Sequence, residues 1–395
     1  MSKDLLLMCE DNIVMRINVD ESKYEVINEK LLPFAIKGRI RKPMDYRDVK
    51  TKYEDTQRQL VIKRNSEAVE TFFDFRVLPL NRENAKWIFN AFNFPQDNTK
   101  STRLKIILAC RGVSLSDSYW LKIDGESLQW KDKNLRHNSL NDIVGQIALH
   151  GTKVTLQGKI ETPELTTHGA YAKAWKRENG ELWLYKRGYN GTTESKIEVM
   201  VSKLLDNCNV NHVEYLPAED RGIFMCKCKC MSDDKMSIVS GGEFISYCNA
   251  MGKDWYKELL TIDADSVYKM MIVDYLISNP DRHGMNWGLY YKTDTTEIVG
   301  CHPLYDHNNA FDLDVMRDDD FKSIFISNAT MRECAVNAMK NVDFHFYREF
   351  TRDDFLTERQ FKSFTNRARY LGIQVKEGYK SAIDVLTKAS KASEV

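Results

Sequence analysis

The chain has 395 residues, enough for two or three domains with a large buried core. Hydrophobic residues make up 43% and charged residues 29%, the balance of an ordinary globular protein. Basic and acidic residues both number 57, and this zero net charge argues against bulk electrostatic attraction to nucleic acid or to an anionic membrane. We therefore expect no direct nucleic-acid binding and no membrane association.

The cysteines and the apolar runs bear on location and on metal binding. No stretch approaches the roughly 20 apolar residues that span a bilayer, and the run from Leu5 to Cys9 is too short for a signal peptide. The nine cysteines are odd in number and scattered, so we expect reduced thiols and a cytoplasmic protein. Cys226, Cys228 and Cys230 alternate with lysines, which favours a buried strand over a zinc site.

The first 150 residues predict an α+β domain without recognisable chemistry. Residues 40–70 are highly charged and have weak helical periodicity. The predicted elements are a hairpin of Leu5–Met8 and Ile13–Val19, strands at Phe72–Leu80 and Leu104–Cys110, and a helix at Arg82–Phe92.

From about residue 152 the pattern becomes rich in strands, and after residue 240 it is mainly helical. This order is typical of a two-lobed kinase. The predicted strands are Lys153–Lys159, Ala170–Lys186 with a turn at Asn179-Gly180, Val213–Leu216, Gly222–Met231, Trp287–Tyr291 and Ile298–Val299. The predicted helices are 194–208, Gly242–Met251, Ser266–Ser278, Met331–Met339, Thr357–Leu371 and Gly378–Ser390.

A polar loop after one of these helices has the residue types of a phosphoryl-transfer site. The helix must end before Pro280, because the residue preceding a proline is pushed out of the α region. Asp281, Asn286 five residues later and Asp306 on the returning hairpin supply a base and two oxygen ligands for Mg²⁺. By spacing alone, a solvated turn is the simpler interpretation. His283 is read as a structural residue of the loop and is not assigned as a base.

A lysine and a glutamate upstream form a second candidate pair. Lys186 shares a strand face with apolar side chains, and a buried lysine needs an anionic partner. Glu198 lies twelve residues on, in the next predicted helix, and such a pair grips nucleotide phosphates in kinases. The alternative is an exposed lysine with a capping box made by Ser195 and Glu198.

A turn of small residues precedes this strand, between Leu165 and Lys173. Its backbone N–H groups and the hydroxyls of Thr166 and Thr167 could cover phosphates around Gly169. An ordinary hairpin turn explains a single glycine equally well.

Residues 165–310 resemble the HipA-type serine/threonine kinases, specifically the divergent HipA-like proteins of Firmicutes and their phages. Ser114–Trp120 in the first third is a looser match to the same proteins. The matching segments are Thr166–Trp175, Trp183–Lys186, Glu198 followed by Leu204, Asp274–Asn286 and Pro303–Asp306.

The resemblance implies an α+β, bilobal protein-kinase-like fold with a β-rich N-lobe and a helical C-lobe, which binds ATP and Mg²⁺. Together with the changes of pattern along the chain, it predicts an N-terminal α+β accessory domain (1–150), the N-lobe (151–232) and the C-lobe (233–395). By similarity, the site consists of Asp281 as catalytic base, Asn286 and Asp306 as metal ligands, Lys186 with Glu198 at the phosphates, Thr166, Thr167, His168 and Gly169 as the phosphate loop, and Cys228, Cys230 and Met231 at the adenine hinge.

The function implied is an ATP- and Mg²⁺-dependent kinase that phosphorylates serine or threonine hydroxyls of a protein, including its own. Thr166, Thr167 and the 323–330 segment are candidate autophosphorylation sites by location. Family members form toxin–antitoxin pairs, which implies an antitoxin-like protein partner. His168-Gly-Ala replaces a more glutamine-containing pattern of the better-known members. Two alternatives remain open: a phosphoinositide-type lipid kinase, whose loop also has Asp-Arg-His-x-x-Asn, and a nucleotide-binding pseudokinase or interaction module.

Overall fold

A computed structural model describes residues 4–18, 20–156, 162–189, 193–312, 322–326 and 328–376. These residues form eleven strands and nine α-helices. The strands are β1 (Leu5–Cys9), β2 (Asn12–Asn18), β3 (Lys23–Val26), β4 (Tyr119–Ile123), β5 (Lys173–Glu178), β6 (Glu181–Lys186), β7 (Leu216–Asp220), β8 (Ile223–Lys229), β9 (Met236–Ser240), β10 (Gly288–Lys292) and β11 (Ile298–Cys301). The helices are α1 (Lys52–Asp74), α2 (Ala85–Ala91), α3 (Lys100–Cys110), α4 (Asp142–His150), α5 (Thr193–Leu205), α6 (Gly241–Ala250), α7 (Trp255–Leu276), α8 (Met331–Ala338) and α9 (Glu358–Leu371).

The chain divides into two compact units, each assembled from separate segments. Unit 1 consists of residues 1–189, 229–258 and 288–300, and unit 2 of residues 190–228, 259–287 and 301–395. The predicted boundary at 150/151 falls inside unit 1. The division into three domains stays a prediction.

Unit 1 begins with an antiparallel sheet in the order β3-β2-β1-β4. All five residues of β1 are buried, because this apolar strand is central and has a neighbour on each side. The hairpin predicted at the N-terminus is therefore confirmed.

Two segments predicted as strands are helical or irregular. The segment 72–80 contains the end of α1 and a turn, and the segment 104–110 belongs to α3. Both predictions were wrong because a short apolar run fits a buried strand and a helix equally well. The buried residues of α3 lie on one helical face: Thr102, Ile106, Ile107 and Cys110. In a strand, the adjacent residues Ile106 and Ile107 would point to opposite faces.

The hairpin of β5 and β6 forms where the sequence predicted it. Asn179 and Gly180 connect the strands, and both have positive φ angles of 50° and 86°. A two-residue loop with both angles positive matches the twist of the paired strands. In this register Lys173 lies directly opposite Lys186 at the open end of the hairpin.

A second small sheet of unit 1 has the order β11-β10-β9. The strand β9 was not predicted, whereas β10 and β11 lie at the two predicted segments. At the start of β10, a Cβ on Gly288 would approach the carbonyl oxygen of Val239 to 2.6 Å, so the close approach of the strands requires glycine.

Unit 2 combines α5, the hairpin of β7 and nearly all of β8, α7 after its first turn, and the helices α8 and α9. In β8, Cys226 and Cys228 are buried, which confirms the strand interpretation for these two cysteines, whereas Cys230 lies just beyond the end of β8 and is half-buried. The first strand of this hairpin lies at 216–220 rather than at the predicted 213–216. One apolar face of α5 and of its continuation, as expected for the predicted amphipathic helix, is buried throughout: Ile197, Val201, Leu204, Leu205 and Cys208.

The other helical predictions agree with the structure in position. Helices α6, α8 and α9 match within two residues, and α7 begins earlier than predicted and is kinked at Asp263. The predicted helix 378–390 and residues 157–159 of the predicted strand 153–159 lie outside the described residues. Residues 153–156 form no regular secondary structure, so the strand prediction is wrong for that part. Among the helices that are described, none has both the length and the apolar character that crossing a bilayer requires.

Ile107 tests the assignment of α3 as a packed helix. Its side chain is fully buried, whereas Lys105 on the same helix is exposed. We expect Ile107→Ala to lower the free energy of unfolding by about 2–4 kcal/mol, because it leaves a cavity. Lys105→Ala, the matched control, should change it by less than about 0.5 kcal/mol in the same urea titration. Equal effects of the two substitutions would contradict the assignment.

Candidate functional site

The loop that carries Asp281 is anchored to the end of α7. Asn279 donates from its backbone to the Asp274 carbonyl (2.9 Å) and from its side chain to the Asp274 carboxylate (3.1 Å). Its own side-chain oxygen accepts the backbone N–H of Asp281 at 3.1 Å. The side chain of Asn279 thus joins the last turn of the helix to the candidate base.

A buried ion pair lies beneath this loop. The Nε and Nη2 atoms of Arg282 donate to the Asp274 carboxylate at 2.9–3.2 Å, and both residues are 4% exposed. Burial by itself would lower the pKa of Arg282, but the charge and hydrogen bonds of Asp274 hold it above its ordinary value.

The same guanidinium collects acceptors from the returning segment. Nη1 donates to the backbone carbonyl of Asn286 and, at 2.7 Å, to that of Tyr305, and Nη2 lies 3.0 Å from Nδ1 of His307. Because a guanidinium only donates, Nδ1 of His307 is an acceptor and carries no proton. Arg282 therefore fixes the start of the loop relative to its end and to the residues around Asp306.

Asp281 lies within this anchored frame and remains reachable from solvent. Its side chain is 37% exposed. Asn286 donates from Nδ2 to the Asp281 carbonyl (2.7 Å) and to Oδ2 (3.3 Å), while Asn309 donates to Oδ2 at 2.8 Å. His283 is exposed, and its Nδ1 accepts the Met285 backbone N–H, as expected for a structural residue of the loop.

The orientation of the Asn286 side chain is compatible with its predicted role as a metal ligand. Both groups that Nδ2 meets are pure acceptors, so the amide nitrogen faces Asp281 and the amide oxygen points away from it. Asp306 has a φ of +59° and is close enough to raise the pKa of Arg282. Within the described ranges, no group of three His, Cys, Asp or Glu side chains could hold a metal ion. One amide from Asn286 and one carboxylate from Asp306 would leave coordination positions for phosphate oxygens and waters, as Mg²⁺ prefers.

Glu198 is hydrogen-bonded to the segment around Asp306. It is fully buried in α5, and its Oε1 accepts the backbone N–H of His307 at 2.8 Å. The helix α5 begins at Thr193, so Ser195 lies inside the first turn and the capping-box alternative is wrong.

Lys186 at the end of β6 is 5% exposed, which rules out the alternative of an exposed lysine. Its neighbour across the hairpin, Lys173, is 6% exposed, so two buried lysines are paired at the same end of the hairpin. Lys186 belongs to unit 1 and Glu198 to unit 2, and their ion pair stays a prediction.

The predicted phosphate loop is an irregular turn that leads into β5. Gly169 has a φ of +104°, a backbone angle that favours glycine, and the flexible Nζ of Lys173 lies beside it, where a Cβ would be. His168 is half-buried against the ring of Phe75, and burial lowers the pKa of its imidazole.

The two threonine hydroxyls are used within the loop itself. Thr166 is buried and donates to the Val113 carbonyl at 2.8 Å, and Thr167 donates to the Pro163 carbonyl at 2.7 Å while it accepts from Nε1 of Trp175. Their contact with phosphate stays a prediction, and phosphorylation of Thr166 would require this loop to open.

Arg82 organises this loop, although nothing in the sequence singled it out. The guanidinium is 3% exposed and donates to the carbonyls of Glu164, Thr167 and Lys173. Burial lowers the pKa of Arg82 to about 10, with Glu164 acting in the opposite direction, so the group stays charged at neutral pH.

The predicted adenine hinge coincides with a boundary between the units, which lies at 228/229. Cys228 is buried in β8. The Cys230 N–H donates to the Leu182 carbonyl at 2.8 Å, and the Met231 carbonyl accepts from the Tyr290 hydroxyl at 2.8 Å. Recognition of adenine by this segment stays a prediction.

Of three comparisons with known proteins, only the comparison with solved structures gives matches for this chain. No family model matches it, and no curated protein matches it. Among solved structures, it is similar to HipA of Shewanella oneidensis, in a complex with HipB and operator DNA, with a TM-score of 0.50, 10% identity, and coverage of 93% of this chain and 88% of that one. It also matches the Helicobacter pylori proinflammatory kinase CtkA, with a TM-score of 0.38, 13% identity, and coverage of 56% of this chain and 95% of that one.

The fold is thus the α+β, protein-kinase-like fold that the motifs implied. It is the fold of HipA, and the resemblance stated from the sequence is confirmed at that level. At 10% identity the likeness concerns the fold, so the roles of individual residues depend on their geometry in this chain.

The buried pair beneath the loop makes a stability test. Arg282→Met leaves the Asp274 carboxylate buried without its partner, and we expect it to lower the free energy of unfolding by about 3–5 kcal/mol in urea. The double variant Arg282→Met/Asp274→Leu should lose much less free energy of unfolding, because it leaves no unpaired charge buried. Arg352→Met breaks an exposed pair with Glu358 and, as the control, should lose at most about 1 kcal/mol. Similar losses in the two single variants would contradict a loop anchored by this pair.

Proposed function

We propose that this protein is an ATP- and Mg²⁺-dependent serine/threonine protein kinase of the HipA type. The observation that carries the proposal is the loop in which Asp281 and Asn286 are hydrogen-bonded to each other above the buried pair of Arg282 and Asp274. A solvated turn would not be held from below by a buried guanidinium paired with a buried carboxylate. The HipA fold supports the proposal.

The reaction assigns a role to each group of the loop. A serine or threonine hydroxyl oxygen attacks the γ-phosphorus of ATP, a new O–P bond forms, and the bond from that phosphorus to the β-phosphate oxygen breaks, so that ADP leaves with that electron pair. Asp281 accepts the hydroxyl proton. Its partial exposure is consistent with contact to a protein substrate.

Asn286 and Asp306 would hold magnesium, which when bound neutralises charge on the phosphates. The amide oxygen of Asn286, turned away from Asp281, is the donor available for this role. Lys186, and the backbone of the loop around Gly169, would bind phosphate oxygens.

A protein partner of the antitoxin class is part of the proposal. HipA of Shewanella oneidensis forms a complex with HipB and operator DNA, and the likeness in fold covers 93% of this chain. Contact with DNA through such a partner agrees with the zero net charge of this chain, since the partner would supply the basic surface. Autophosphorylation would fall on Thr167 or within 323–330 more readily than on the buried Thr166.

Asp281→Asn is the direct test. It removes the base while keeping the side chain's size, so we expect transfer of labelled phosphate from ATP to fall at least about 100-fold, with ATP affinity within twofold of wild type. The control is Asp353→Asn, an exposed carboxylate elsewhere in unit 2, which should leave transfer unchanged. Mass spectrometry of the product identifies the phosphorylated residue.

Other outcomes separate the competing activities. Transfer to phosphoinositide vesicles and to no protein would favour a lipid kinase. Binding of ATP–Mg²⁺ without transfer to any substrate, in wild type and Asp281→Asn alike, would favour a pseudokinase.

Nucleotide binding can be tested independently of transfer. A ligand that binds the folded state raises the melting temperature, and we expect ATP–Mg²⁺ to do so for the wild-type protein. Lys186→Met keeps the apolar stem but removes the charge, and should abolish most of that rise. Lys292→Met removes an exposed lysine paired with Glu297 and should retain it. An undiminished rise in Lys186→Met would contradict the role of Lys186.

A further inference from the structure

Two side-chain amides converge on one oxygen of Asp281. Asn309 Nδ2 donates to Oδ2 at 2.8 Å, and Asn286 Nδ2 approaches the same oxygen at 3.3 Å. A carboxylate only accepts, so both amides present their NH₂ groups to it. Asn286 belongs to the catalytic motif, whereas Asn309 lies outside every motif that the sequence presented.

The other oxygen of Asp281 has different surroundings. Nε2 of His283 lies 3.7 Å from Oδ1, beyond hydrogen-bond distance, and both side chains are substantially exposed. The two oxygens are therefore not equivalent: Oδ2 is held by amides, and Oδ1 lies beside an exposed residue.

The backbone around Asn309 is held on both sides. The N–H of Ala310 donates to the His307 carbonyl at 2.9 Å, and the N–H of Phe311 donates to the Ile277 carbonyl at 2.8 Å, just beyond the end of α7. His307 itself is bonded to Arg282 and Glu198. The amide of Asn309 is thus presented from a fixed turn rather than from a loose loop.

We propose that Asn309 is a positioning residue for phosphoryl transfer: it fixes Oδ2 of Asp281, so that Oδ1 is the oxygen that accepts the proton of the substrate hydroxyl. This inference rests on the proposed function. The terminal torsion of an aspartate is broad, and the carboxylate without Asn309 would keep one long contact to Asn286 at Oδ2. A base contributes fully only when its accepting atom is aligned within hydrogen-bond reach.

The kinetic test separates positioning from binding. Asn309→Ala should lower kcat by about 10- to 100-fold and leave KM for ATP within twofold. Asn309→Asp keeps the shape but cannot donate, so it should lower kcat at least as much, while Asn309→Gln, which keeps the donor, should recover part of it. The control Asn341→Ala removes a side-chain hydrogen bond of the same 2.8 Å length in unit 2, donated by Nδ2 to the Asn337 carbonyl. It should leave kcat unchanged.

A second measurement does not need activity. The midpoints of urea unfolding of Asn309→Ala, Asp281→Ala and the double variant should be non-additive if the two side chains interact. Additive midpoints, or a kcat of Asn309→Ala equal to that of an active wild-type protein, would overturn this inference alone. If the midpoints of the variants are non-additive but the wild-type protein transfers no phosphate, the proposed function is overturned instead.

Discussion

The guanidinium of Arg282 is almost completely desolvated, and the candidate site is built around it. Taking such a charge out of water is expensive unless every donor finds an acceptor. Here the acceptors come from three places in the chain: the carboxylate of Asp274 at the end of α7, the backbone of Asn286 and Tyr305, and the ring of His307. Because one rigid planar group satisfies all of them, the loop and the segment around Asp306 have little freedom to move independently.

The order set by this pair extends to the residues that would do chemistry. His307, which receives Arg282 on its ring, donates its backbone N–H to Glu198 in α5. Two residues further on, Asn309 reaches back to Asp281. A helix carboxylate, a turn and the candidate base are therefore joined by hydrogen bonds within one unit. Such supporting contacts decide whether a base is aligned, and they are as much a part of the site as the base itself.

In unit 1, a buried arginine likewise holds the predicted phosphate loop around Gly169. Arg82 is buried and donates to three carbonyls of the segment that ends in β5. Loops lack the ladder that satisfies backbone groups in helices and sheets, so their buried carbonyls need other donors. Arginine supplies five donors in a fixed planar arrangement, which suits it to this task in both loops.

Local patterns determined much of this protein. The loop types at Asn179 and Gly180, the buried face of α5, the alternating cysteines of β8 and the order of Asp281, Asn286 and Asp306 could all be read within a few residues. The strands predicted around 72–80 and 104–110 were wrong, because short apolar runs do not distinguish a strand from a helix.

Only the tertiary structure revealed Asn309 and Arg82, whose partners lie 28 and up to 91 residues away in the chain. Periodicity and spacing record which faces are buried, whereas a hydrogen bond between distant segments exists only once folding has brought those segments together.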